Sequence, residues 1–220
     1  MDCSKSKVFM KNDFKKYVQY GAGWIAPSEW INYDASPTLR FERIPIIGKL
    51  YTRNQERFPL NVLYGDIVVG LPLSEKSVDG LYCSHVLEHL AYSDLQMALK
   101  NSYQILKFGG IFRLVLPDLE CEVRKYLESS DINAANKFMK ETGLGYEFRL
   151  RGLRGMLLGL LGNSQHLWMW DYKSLTAELE KVGFTKIRRA SFNDSIDQMF
   201  ESVEVKERWQ DALGIECYKQ

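Results

Sequence analysis

A doubly wound α/β fold with a mainly parallel sheet is what this sequence predicts, on three observations. Short runs rich in β-branched, aromatic and aliphatic residues alternate with amphipathic helical stretches. Each run is stopped by Gly, Asp, His or Pro, residue types that end a strand and open a loop. The chain has 220 residues, 45% of them hydrophobic and 26% charged, which is enough to close one sizeable core. It contains no internal repeat, low-complexity tract or linker, so residues 1–220 read as a single domain. Within it, 1–14 is an N-terminal extension, 35–61 an insertion and 119–170 a substrate-side or lid region.

Taken in order, the strand candidates are 16–20, 30–33, 62–65, 80–84 and 111–116. Between the last two, 93–107 sets Leu95, Ala98, Leu99, Ser102, Ile105 and Leu106 at helical spacing, and Gly109-Gly110 is expected to end that helix. A second amphipathic stretch, 173–182, is closed by Gly183 and followed by strand candidates 185–190 and 213–218. This alternation argues for parallel strands covered on both faces. The link from Gly23 to Asp34 is too short for a full crossover helix, since such connections need about a dozen residues or more. The first helix is therefore expected to be reduced, leaving one side of the pocket open. The insertion, with Phe41, Tyr51 and Phe58, either covers that opening or pairs with a second copy in a homodimer.

Composition excludes several functions. A formal net charge of +1 gives no general attraction to nucleic acid or to an anionic membrane. Residues 1–13 are polar and lysine-rich without a signal-like apolar stretch, and no segment reaches the roughly 18 apolar residues of a membrane span. A cytoplasmic protein without stable membrane insertion is expected. Cys3, Cys83, Cys121 and Cys217 form no CxxC pair and read as reduced thiols.

In a doubly wound sheet, ligands bind beyond the carboxyl ends of the strands. After the first strand stands Gly21-Ala22-Gly23, a tight turn that lets backbone approach a ligand. After the second comes Asp34, suited to a ribose diol. The third ends in Asp66-Ile67, a carboxylate for an adenine amino group and an aliphatic side chain for its ring face. The fourth ends in Ser84-His85 and the fifth in Pro117-Asp118. A lone turn glycine or a lone Asp is usually local structure; in this order they describe a nucleoside pocket.

These residues resemble the class I S-adenosylmethionine-dependent methyltransferases, in the small bacterial branch often found among glycan-biosynthesis proteins. The resemblance rests on Gly65-Asp66, Leu71-Pro72-Leu73, Ser77-Val78-Asp79-Gly80, the run from Ser84 through His85, Glu88 and His89 to Leu90, the run from Ile105 to Gly110, and Leu116-Pro117-Asp118. It implies a Rossmann-like seven-stranded sheet with an antiparallel last strand. It also implies S-adenosylmethionine, with product S-adenosylhomocysteine, over Gly21, Ala22, Gly23, Asp34, Asp66, Ile67, Ser84 and His85. The chain departs from the family at Gln19, where an acidic residue is usual, and at Ile25, where a third glycine is common. The stretch His85 to His89 also fits the H-x-x-E-H pattern of an inverted zinc protease. No metal is assigned, because that motif begins at a strand end instead of inside a helix and needs a third ligand elsewhere. Helix-start hydrogen bonding is the expected role of Glu88 and His89.

Methyl transfer from a sulfonium requires in-line alignment of an acceptor and exclusion of water. If the acceptor is a sugar hydroxyl, a histidine is the base best poised near neutral pH. His166, ahead of Leu167-Trp168-Met169-Trp170, is the first candidate and His85 the second. Arg149 to Gly162 combines arginines, leucines and glycines and reads as a lid or subunit contact. The leading function is O-methylation of a saccharide or other small-molecule acceptor. The alternatives are a non-catalytic methyltransferase-fold scaffold, motivated by Gln19, Ile25 and the short crossover, and a nicotinamide dehydrogenase, which lacks the full GxGxxG spacing.

Overall fold

A computed structural model describes residues 15–46, 48, 56–145 and 165–220. The apolar runs become strands β1 (Tyr17–Tyr20), β2 (Trp30–Asp34), β3 (Val62–Tyr64), β4 (Val78–Ser84), β5 (Leu106–Pro117), β6 (Phe184–Ala190) and β7 (Ala212–Lys219). Together they form one seven-stranded sheet in the order β3-β2-β1-β4-β5-β7-β6. Strands β1 to β5 pair in parallel, and β7 runs antiparallel to both β5 and β6. This is the Rossmann-like arrangement with an antiparallel final strand.

Helix α1 (Pro37–Glu42) lies in the insertion, α2 (Tyr92–Ile105) joins β4 to β5, α3 (Leu119–Glu128) and α4 (Ala134–Glu141) follow β5, and α5 (Tyr172–Val182) precedes β6. Alternate residues of the central strands face opposite ways. Leu81, Cys83, Phe112 and Leu114 pack against Leu95 and Leu99 of α2 and Leu175 and Leu179 of α5, forming the main core. Each such leucine contributes about 1.5–3 kcal/mol on burial. Helix α5 is bounded as its sequence dictates: Asp171 and Ser174 form a reciprocal capping box, and Gly183, at φ 111°, closes the C-terminus.

One expectation is corrected at the end of α2. The helix stops at Ile105 and β5 starts at once, so Gly109-Gly110 lie inside the strand. They serve a break in register between the Val78–Leu106 and Gly80–Ile111 pairs, where Gly109 takes φ 78°. Glycine at a positive φ suits a β-bulge as well as a helix end, and local sequence does not distinguish them.

The opposite face is closed by the connection from β6 to β7, which carries two short 3₁₀ turns, Gln198–Ser202 and Lys206–Trp209. Phe200 and Val203 pack on Tyr17, Trp30, Tyr82 and Val115, with the Trp30 ring 5.5 Å from Phe200 and 5.2 Å from Tyr17. Arg113 of β5 points into this layer and is fully buried. Its guanidinium pairs with Glu204, with Asp194 at 2.9 Å and with Glu216 at 3.2 Å, and lies 4.7 Å from the Trp209 ring. Arg188 also reaches Asp194 at 2.7 Å and Glu216 at 2.8 Å.

The first crossover is shorter still than the expected reduced helix, because residues 21–29 contain none. Side-chain amides stitch it instead. Gln19 Nε2 donates to the Ile25 carbonyl and to Asn32 Oδ1, each at 2.6 Å, and Asn32 Nδ2 donates to the carbonyls of Pro27 and Trp30, each at 3.0 Å. A carboxylate at position 19 has no hydrogen to give these acceptors, so an amide there suits a crossover without a helix. The insertion covers the open side: Leu39 and Phe58 pack with Ala22 and Val62, and Trp24 stacks on Phe58 at 5.5 Å. Residues 1–14, Tyr51 and the lid candidate 149–162 lie outside the described residues. Cys83, Cys121 and Cys217 are free, and burial pushes the Cys83 thiol up. Among the described residues, no helix is long and apolar enough to cross a membrane.

Candidate cofactor and acceptor site

Because β1 to β5 are parallel, their carboxyl ends meet at one edge, and the specialised residues read from the sequence follow those ends. Gly21 and Gly23 adopt φ 71° and 55°. A Cβ on Gly21 would meet Cγ2 of Val86 at 2.1 Å, so the chain leaving β4 packs directly on this turn. A Cβ on Gly23 would meet only Arg208 Nη2, at 3.9 Å, leaving the backbone approachable there. Ala22 is turned into the small cluster with Leu39, Phe58 and Val62.

Asp34 ties the loop together. Its Oδ2 accepts from the Gly23 N–H at 2.9 Å and its Oδ1 from the Ser36 N–H at 2.7 Å. Each carboxylate oxygen retains a further acceptor position. Asp66 Oδ1 accepts from the Val68 N–H at 2.9 Å, a local turn closure. Ile67 is buried in the main core, and its carbonyl accepts from Asn101 Nδ2 at 2.7 Å.

At the end of β4, His85 takes φ 55° and its N–H donates to the Val115 carbonyl at 2.8 Å. Ser84 Oγ lies 3.1 Å from His85 Nδ1. Burial, followed by the nearby charges of Arg208, His166 and His89, pushes His85 down to about 4, so it is neutral at neutral pH. Arg208 Nη1 donates to the Ser84 carbonyl at 3.2 Å. The guanidinium thus stands between the glycine turn and the β4 exit. The sequence reading did not single out Arg208, which sits in a connection with no recognisable pattern.

A third group brings together two of the chain's three histidines, His89 and His166. The N–H groups of Leu167 and Trp168 donate to the Glu88 carbonyl at 2.7 and 3.2 Å, docking the 165–170 segment onto the 3₁₀ turn Leu87–His89. His89 Nδ1 lies 2.9 Å from the Gln165 carbonyl and His166 Nδ1 lies 2.8 Å from that of Thr142. A carbonyl only accepts, so each Nδ1 carries its hydrogen, and in the neutral ring it is Nε2 that presents a lone pair. Gly143 makes room, since a Cβ there would meet His166 Nδ1 at 2.7 Å. Both Nε2 atoms stand 4.0 Å from Glu88 Oε1. Glu88 is fully buried, and neither of its oxygens has a hydrogen-bond partner among the described residues. Burial raises its carboxyl to about 8, and burial also lowers His166. The expected helix-start bonding is corrected: the His89 side chain turns to the Gln165 carbonyl and the Glu88 side chain makes no hydrogen bond among the described residues. Beside this cluster, Trp168 is 45% exposed and its ring lies 5.1 Å from Tyr92.

The strand order, with its antiparallel final strand, is that of the Rossmann-like methyltransferase fold. Residues 26–114 of the chain match the family model described as "Methyltransferase domain". Solved structures agree on the fold. An S-adenosylmethionine-dependent methyltransferase from Thermotoga maritima superposes with a TM-score of 0.50 at 17% identity, covering 93% of this chain and 82% of that one. The Haloferax volcanii protein solved with the Trm112 methyltransferase activator gives a TM-score of 0.50 at 16% identity, with the same 93% and 82% coverage. No curated protein matches the sequence.

Proposed function

We propose that this chain is a methyltransferase that uses S-adenosylmethionine to O-methylate a saccharide or similar small acceptor. The observation that carries the reading is the convergence of Gly23, Asp34, Asp66, Ser84 and His85 at the carboxyl edge of β1 to β4. These residues fit the cofactor. The Gly23 backbone is open, Asp34 keeps acceptor positions for a ribose diol, and Asp66 has one carboxylate oxygen engaged by Val68 and the other for an amino hydrogen. Gly21 and Ala22 shape the turn, and Ile67 backs it from the core. When bound, the cofactor supplies a methyl group already activated on a sulfonium. The residues of this chain then have to orient the acceptor and exclude water.

On the acceptor side, the exposed Trp168 ring beside Tyr92 suits the apolar face of a sugar. His166 is the first candidate to hold or deprotonate the acceptor hydroxyl, since its Thr142 bond fixes the ring with Nε2 bare. His85 is the second; its low proton affinity makes it the weaker base.

A scaffold reading draws on one observation: Asp34 is already engaged by two backbone N–H groups and Val86 fills the space over Gly21. Calorimetric titration of the purified protein with S-adenosylmethionine and S-adenosylhomocysteine separates the two. Binding that is weakened at least tenfold by Asp66→Ala, with Asp34→Ala weaker still, is the expected result. A folded wild-type protein that binds neither compound overturns the methyltransferase reading in favour of the scaffold.

A further inference from the structure

We infer that Glu88, His89 and His166 form a binding site for one divalent transition-metal ion, with zinc the first choice. The inference deepens the proposed function, and rests on it only for the role of the ion in the reaction. Three independent features carry the site itself.

The first is the donor set. Two imidazole nitrogens and one carboxylate is a combination that holds zinc, or another first-row divalent ion, with coordination positions left open. The ligand atoms of the three residues all lie within 4.8 Å of one another. A tetrahedral shell with bonds of about 2.0–2.1 Å needs ligand atoms roughly 3.3 Å apart, so closure takes side-chain shifts on the order of an ångström.

The second is orientation. Each histidine is held by its Nδ1–H on a backbone carbonyl, Gln165 for His89 and Thr142 for His166. That is the outer-shell arrangement that fixes tautomer and ring direction in metal-bound histidines. The 4.0 Å gaps from the Nε2 atoms to Glu88 Oε1 are too long for hydrogen bonds, so the three groups face a shared point without satisfying one another.

The third is the state of Glu88. A carboxyl with 0% exposure and neither oxygen hydrogen-bonded among the described residues is costly to ionise, and a bound cation offsets that cost. The sequence reading withheld a metal partly for want of a third ligand outside the H-x-x-E-H run. His166 is such a group, brought in by the docking of Leu167 and Trp168 on the Glu88 carbonyl. Three protein ligands leave room for an oxygen of the acceptor; with the ion bound, His166 Nε2 is a ligand and no longer a base, so His166 positions the acceptor through the ion, and His85 is the histidine outside the cluster.

The test uses the full chain, stripped with a chelator and titrated with Zn²⁺ by calorimetry and with Co²⁺ by visible absorption, with S-adenosylmethionine binding measured in parallel. One equivalent should bind per chain. Glu88→Gln, His89→Ala and His166→Ala should each weaken binding by more than the roughly 10–100-fold typical of losing an outer-shell partner. Circular dichroism and retained cofactor binding show that the variants are folded. Should a variant unfold, X-ray absorption at the zinc edge of the loaded wild type decides: two imidazoles and a carboxylate support the site, and sulfur in the shell refutes it. Absence of stoichiometric binding by the wild type, or binding unchanged in all three variants, overturns the inference. Metal binding without cofactor binding leaves the site standing and removes the methyltransferase reading; cofactor binding without metal does the reverse.

Discussion

On one face of the sheet, leucines of α2 and α5 lie on Leu81, Cys83, Phe112 and Leu114; on the other, a connection with only two short 3₁₀ turns lies on Tyr17, Trp30 and Tyr82 and is anchored through Arg113. The first face needs only apolar side chains at helical and strand spacing. The second has no long helix to present an apolar stripe among its described residues, and it relies on aromatic rings and a buried guanidinium with three carboxylate partners. Apolar packing tolerates approximate shapes, whereas a buried charge tolerates only its own partners. The 191–211 connection is therefore fixed by both aromatic packing and a specific charge cluster.

That contrast is open to attack at three points. Arg113→Ala should cost about 3–5 kcal/mol in chemical denaturation, because it strands Glu204 without its guanidinium while both carboxylates at 204 and 216 stay buried. Combining Arg113→Met with Glu204→Leu should recover much of that loss; equal loss would mean that shape, not charge, closes this face. On the apolar face, Leu99→Ala should cost about 2–5 kcal/mol, with the value set by how far α2 collapses onto the sheet. The smallest effect concerns acid. Burial alone would raise Asp194, but hydrogen bonds from Arg188, the Ser191 backbone and Arg113 win and hold it at about 2, below its usual 3.8. A depressed carboxyl stabilises the fold above its unfolded value and loses that contribution as pH falls from 3.8 towards 2. Acid titration of the wild type should therefore show a loss in this window that Asp194→Asn lacks.

Much of the fold was legible because its signals are local. The strand runs, the α2 and α5 stripes and the Gly183 stop each depend on neighbours within a few residues, and the carboxyl-edge residues follow strands directly. The Gly109-Gly110 bulge was misread because a helix end and a bulge ask for the same conformation. The roles of Arg208 and Glu88 were not legible, since they arise from contacts between distant parts of the chain: a β6–β7 turn against the β4 exit, and the 165–170 segment against the 87–89 turn. His166 was singled out for its chemistry, but nothing local indicated that it would meet Glu88 and His89 instead of the His85 of the same short run. The Gln19 departure acquired a physical reason only when its amide was seen spanning Ile25 and Asn32.

The helix-free passage from β1 to β2 also bears on which ligands this edge favours. In dinucleotide-binding folds, the amides at the start of the first crossover helix, with the positive end of its dipole, cradle a pyrophosphate. Among the described residues no helix begins at the turn, and the guanidinium of Arg208 stands beside it. Such an edge offers a point charge suited to one carboxylate in place of a row of aligned amides, which favours a nucleoside bearing an amino-acid tail over one bearing a diphosphate.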